Sequence, residues 1–205
     1  MSLPVFRQFP LIAALTLAAV AAPLSAQAMF SESYNFLEAV RDRDGDKVTT
    51  IVNTPGSTLI NTRDKASGDT ALHIVAKRSD ATWVKFLTQK GANPNIANKD
   101  GQTPMMIASA LGDIESVEAL LKAGARVDDA NGFGETPLIS AVHRRDIEMV
   151  RLLLGKGADP ERNDNSGRSA RDYVKAIDSK RLTAEFDSHD AKGDGSEQKN
   201  YGPSF

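Results

Sequence analysis

The sequence contains no cysteine and one tryptophan, and only 6% of its residues are aromatic. Without cysteine there are no disulfide staples, thiolate metal sites or cysteine nucleophiles, and His73, His143 and His189 carry all the imidazole chemistry the chain has. Neither charge is in marked excess, with 25 Lys and Arg against 27 Asp and Glu for a formal charge of -2. That balance excludes a strongly basic binder of nucleic acid or anionic membrane on charge alone. Long apolar runs are missing too: Leu11 to Ala22 spans 12 residues and ends at Pro23, whereas a membrane-spanning helix needs about 20. What is present, 40% hydrophobic and 25% charged residues, is the composition of a globular chain whose stability comes from packing.

The first 28 residues read as an address. Arg7 and the starting amine precede the apolar run, and Ala26-Gln27-Ala28 supplies the small-residue ending of a cleavable secretory signal. Cleavage is expected after Ala28, with no membrane span remaining. An exported domain with no cysteine points to a bacterial periplasm, because eukaryotic secreted domains commonly use disulfides. The expected location is therefore periplasmic or secreted.

A 33-residue period governs the rest. Gly-Asp-Thr-Ala-Leu-His starts at Gly68, and the related segments at Gly101, Gly134 and Gly167 follow at intervals of 33. A second marker, Gly-Ala, falls at Gly91, Gly124 and Gly157 with the same spacing. Thr70, Thr103, Thr136 and Ser169 place a hydroxyl where the first amides of a helix need an acceptor. Pro104 and Pro137 then stand where a missing N–H costs nothing. Downstream, Val117, Leu120 and Leu121 repeat as Val150, Leu153 and Leu154, and as Val84 with Leu87, the spacing of a buried helical stripe. Gly91, Gly124 and Gly157 suit the left-handed position that closes such a helix. Asn98, Asn131 and Asp164 suit tight turns three residues before each repeat glycine. An earlier, divergent unit starts near Glu32 and carries three extra residues within Asn53 to Asn61.

These features resemble the ankyrin repeat family over residues 32 to 186, although no unit contains the complete Thr-Pro-Leu-His: histidine occurs only at His73, and proline only at Pro104 and Pro137. The resemblance implies an all-α solenoid of helix-turn-helix units with short β-turn fingers. Four repeats are expected, over 32–67, 68–100, 101–133 and 134–166, with a polar cap over 167–186 and a disordered tail over 188–205. It implies a structural, hydrogen-bonding role for His73.

Nothing points to catalysis. No nucleophile elbow, phosphate loop or paired-histidine motif occurs. Asp42, Asp44 and Asp46 alternate as at the start of a calcium loop, yet Lys47 stands at the turning position and Asn53 at the last ligand position. No metal, cofactor or catalytic residue is expected, and the chain is read as a non-enzyme. What the resemblance implies instead is binding of another protein by a monomer, through the concave face of fingers and first helices. Carried over position by position, the contact residues are Lys77, Arg78, Lys99, Asp100, Leu111, Phe133, Glu135, His143 and Arg144. Leu111 and Phe133 form an apolar centre flanked by basic groups. Phe133, between Gly132 and Gly134, is the sharpest candidate, because folding has little use for an aromatic on such a turn. Trp83 is expected on the second helix, packing between repeats. The alternative is a self-associating structural component of the envelope without a single client.

Overall fold

A computed structural model describes residues 24–197, with side-chain surroundings for 32–191. Ten α-helices occur in this span, and no strand is present among the described residues. They pair as α1 (Leu24–Arg41) with α2 (Gly45–Asn53), α3 (Ala71–Lys77) with α4 (Ala81–Gln89), and α5 (Pro104–Leu111) with α6 (Ile114–Lys122). The last two pairs are α7 (Pro137–His143) with α8 (Ile147–Gly155), and α9 (Ala170–Ile177) with α10 (Lys180–Glu197). First helices stack in sequence, α1 on α3, α3 on α5, α5 on α7 and α7 on α9, while α4, α6, α8 line the second layer and α10 closes it against α8. This is the expected solenoid of helix pairs.

Local chemistry starts each helix. The hydroxyls of Thr103, Thr136 and Ser169 accept from the amides of Met106, Ile139 and Asp172. A second set of caps accompanies them: Asp44, Asp80, Asp113 and Asp146 accept from the amides of Lys47, Trp83, Ser116 and Met149 and so start every second helix of the first four pairs. Asp80, Asp113 and Asp146 are themselves 33 residues apart, a third periodic marker of the array. Helix ends are equally regular, with Gly91, Gly124 and Gly157 at φ of 89°, 88° and 84°.

The core runs the length of the array. Val84, Leu87, Val117, Leu120, Val150, Leu153 and Leu154 are buried as the stripe predicts, whereas Leu121 is only partly buried against the core. The divergent first unit contributes Phe36, Leu37, Ala39 and Val40 from α1 and Val48 from α2. Its extra residues precede and form a short 3-10 turn, Leu59–Asn61, whose Leu59 and Ile60 pack against the core. Trp83 is half-buried, edge-on to Phe86 at 5.3 Å and covered by the Arg78 guanidinium.

Two expectations meet the ends of the described chain. The expected signal lies mostly outside the described residues, and the expected cut after Ala28 falls inside α1, with the core residues described for that helix, Phe36, Leu37, Ala39 and Val40, on the retained side. The expected tail from residue 188 is corrected in part: α10 continues to Glu197. Leu182 and Phe186 are buried, Arg151 holds Glu185, and Arg171 pairs with Asp190 at 3.0 Å, so the helix is anchored on both sides of residue 188. Residues 198–205 of that tail lie outside the described residues. Among the described residues no helix is long and apolar enough to cross a membrane.

Candidate protein-binding face

Each finger is built from its own turn residue. Asn98 Oδ1 accepts from the amides of Asp100 and Gln102, Asn131 Oδ1 from those of Phe133 and Glu135, and Asp164 Oδ1 from those of Ser166 and Arg168. Fingers are also tied to one another. The Lys99 amide donates to the Ser67 carbonyl and the Asn165 amide to the Phe133 carbonyl, both at 3.0 Å. At Gly134, φ is +76°, and a Cβ there would stand 2.7 Å from the Asn165 backbone nitrogen, so both conformation and spacing require glycine.

His73 couples one repeat to the next. Fully buried on α3, its Nδ1 accepts from the Thr70 amide at 3.1 Å and lies 2.8 Å from the Thr70 hydroxyl. Nε2 then carries the proton and donates 2.9 Å to the Gln102 carbonyl of the following finger. Burial holds its pKa below the ordinary imidazole value. This is the structural role expected of it.

The predicted contact residues divide into two groups. In the N-terminal half all but Asp100 are engaged by the fold. Lys77 donates 2.5 Å to Asp69, which also accepts from Asn98; burial opposes ionisation of Asp69, but these bonds outweigh it and hold its pKa below the ordinary carboxylate value. Arg78 is largely buried: Nη1 donates 2.7 Å to the Val40 carbonyl, Nε bonds Asp80, and the guanidinium covers Trp83. It closes the end of α1 and ties the first repeat to the second. Lys99 donates to the Lys65 carbonyl at 2.6 Å, and Asp100 is exposed on the finger beside it.

In the C-terminal half the residues are displayed. Phe133 is 79% exposed and Leu111 49%. The Phe133 backbone is gripped by Asn131 on one side and Asn165 on the other, so a rigid turn presents a bare aromatic ring. It does not fold back onto a neighbouring finger. Beside it, Glu135 accepts from Asn131 at 3.2 Å and lies 3.5 Å from His143 Nδ1. His143 meets Tyr173 edge-on at 4.3 Å, and the Tyr173 hydroxyl donates 2.6 Å to Asp164. That bond, with those from Ser166 and Arg168, holds the Asp164 carboxyl far below the usual range. Arg168 stands 5.8 Å over the Tyr173 ring. The Tyr173 link escaped the sequence reading, since it joins a cap helix to a finger and has no counterpart in the other repeats. Arg144 is 40% exposed and only 4.0 Å from Asp146.

A groove of about 580 Å³ lies between α1, α2 and the 54–59 loop and includes none of the predicted contact residues. No group of three or more His, Asp or Glu poised to hold a metal ion occurs among the described residues.

A sequence profile of the family described as ankyrin repeats (3 copies) matches residues 36–131 and 72–164, more than half of the chain. The chain belongs to the ankyrin-repeat family. Ankyrin repeats generally mediate protein–protein interaction, and the family is typically non-enzymatic. This ankyrin-repeat chain is also similar to transcription factor MBP1 of Saccharomyces cerevisiae, 49% identical over 43 residues. The match covers 21% of this chain and spans about 5% of the length of that protein.

Proposed function

We propose that this ankyrin-repeat protein is a non-enzymatic periplasmic module that binds another envelope protein and modulates or protects it, using the finger and first-helix face of its C-terminal half. One observation carries the reading: Phe133, an aromatic exposed on a backbone fixed from both sides, contributes nothing visible to the core and is shaped like an interface anchor. A fixed backbone keeps the ordering cost of binding low. Support for the compartment comes from the signal-like first 28 residues and the absence of cysteine. The chain acts as a monomer with one saturable partner.

Affinity capture from the envelope fraction of the native organism tests it, with the chain from Met29 as bait and the Phe133→Ala/Leu111→Ala variant as control. A protein held by the parent and lost by the variant is expected. Equal capture by both baits, or concentration-dependent self-assembly of the bait alone, contradicts the proposal.

A further inference from the structure

The interface between the third and fourth repeats lacks the links that bind the second repeat to the third. His73 ties its repeat to the Gln102 carbonyl, but the equivalent place one repeat on is held by Met106, whose sulfur accepts 3.4 Å from the Thr103 amide and has no proton to give the Glu135 carbonyl. Asn98 reaches back 3.0 Å to Asp69, whereas Asn131 turns to Glu135 of its own finger. The Lys99 and Asn165 amides each bond the preceding finger at 3.0 Å, and no such bond joins Gly132 to Asp100. In the second layer, Lys85 of α4 pairs with Glu115 of α6, and Arg151 of α8 with Glu185 of α10. The residues of α6 and α8 that correspond to Lys85 and Glu115 are Glu118 and Glu148, two like charges, and neither forms a salt bridge or hydrogen bond with any described residue. While α4 packs along α6 and α8 along α10, α6 and α8 touch only sparingly. A groove of about 350 Å³ lined by Glu118, Leu121, Lys122 and Lys156 marks the gap, and Leu121 is only partly buried there although its equivalent Leu154 is buried.

What remains across this interface lies in the first layer and one loop. Helix α5 stacks on α7, with Met105, Ala108, Leu138 and Ala141 buried. The Ser109 hydroxyl reaches the Pro137 carbonyl at 3.4 Å, the Arg144 guanidinium rests on Gly112, and the Asp159 amide donates 3.0 Å to Asp128. A stack held along one layer and loose along the other has the anatomy of a hinge. We infer that the solenoid bends between its third and fourth repeats, the second layer opening at Glu118 and Glu148 while α5 and α7 stay in contact. Stability in such an array is a sum of neighbour interactions, so a junction short of links opens before those on either side. The regulatory meaning of the bend rests on the protein-binding reading above. Leu111 stands on α5, before the seam, whereas the Phe133 finger leads into α7 and is bonded to Asn165 beyond it, so bending changes the spacing of the two displayed apolar side chains. A client that seats both selects one bend of the array and holds it.

Spin labels measure the bend without a client, so the outcome is independent of the protein-binding reading. The chain has no cysteine of its own. Thr82→Cys on α4 and Asp187→Cys on α10, both at exposed positions, place one label on each side of the seam at about 30 Å, three helix spacings. Two substitutions restore missing links: Glu118→Lys supplies an opposite charge for Glu148, and Met106→His supplies a donor for the Glu135 carbonyl. Double electron–electron resonance on the full chain from Met29 should give a distance distribution at least about twice as wide in the labelled parent as in the protein carrying both substitutions. Glu118→Lys alone, at an exposed position, should narrow it part of the way. A parent distribution as narrow as that of the doubly substituted protein, or one equally broad in all three, overturns the inference. A bend found here together with client binding that ignores Phe133 would leave the hinge standing and overturn its regulatory meaning.

Discussion

Replacing His73 by alanine should cost this protein about 3–4 kcal/mol, and the figure follows from what the ring touches. The Thr70 amide is buried and donates to Nδ1, so its loss leaves an unpaired buried N–H worth about 1–3 kcal/mol. A second bond, from Nε2 to the Gln102 carbonyl, disappears at about 1 kcal/mol, less than a buried orphan because that carbonyl is only partly buried. The emptied ring volume adds a packing loss, since the side chain is fully buried. His73→Gln divides these contributions. Glutamine three residues after Thr70 completes a capping box and accepts the Thr70 amide, but does not reproduce the imidazole's reach to the next finger. It should cost about 1–2 kcal/mol. Urea unfolding followed by circular dichroism measures both variants against the parent. Because each repeat leans on its neighbour, His73→Ala should also broaden or split the transition at the junction of the second and third repeats. A loss below about 1 kcal/mol for the alanine variant, or equal losses for both, refutes the account of His73 as an inter-repeat bolt.

Four further predictions concern stability. Burial lowers the His73 pKa in the folded state, so as pH falls below the ordinary value of about 6.5 the unfolded chain takes up a proton that the folded chain refuses. Stability should therefore fall through that window in the parent and less steeply in His73→Gln, as read by urea midpoints from pH 7.5 to 5; parallel profiles contradict this. Asp69 works at lower pH, since its depressed folded pKa contributes stability above about 4 that is lost on further acidification. Leu120→Asp buries a charge in the middle of the stripe and should abolish or split the unfolding transition, whereas one unaltered transition would place Leu120 outside the core. Arg78→Met keeps most of the packing over Trp83 but removes the bond to the Val40 carbonyl, and hydrogen exchange should show α1 and α2 opening more readily than the remaining repeats. Uniform exchange across the array would mean that Arg78 does not tie the first repeat down.

Much of the architecture is legible in the sequence because repetition multiplies weak signals. A single threonine before a proline says little, but Thr103 and Thr136 at one spacing, each followed by the same apolar stripe, specify helix starts that the structure reproduces. The aspartates at 80, 113 and 146 were equally periodic and equally informative. Where side chains end up is harder to read, because in a stacked array the deciding partner sits one repeat away. Arg78 and Arg144 occupy equivalent positions, yet Arg78 finds a carbonyl, a carboxylate and an indole whereas Arg144 finds Gly112 and a distant Asp146. Only the neighbouring repeat's residues distinguish them. The continuation of α10 was hidden for a similar reason: its sequence is polar, and the helix is held by Arg151 and Arg171 on other elements. Phe133 was legible because its glycine neighbours leave no local surface for a ring to pack on.

The claim that this face binds a protein is tested most directly by one paired measurement on Phe133→Ala: affinity for the captured client by calorimetry, and melting temperature in the same buffer. An exposed ring on a fixed turn should contribute about 2 kcal/mol to binding, roughly a 30-fold loss of affinity, with the melting temperature unchanged. Unchanged affinity with a lowered melting temperature would mean that Phe133 serves the fold and that the binding surface lies elsewhere.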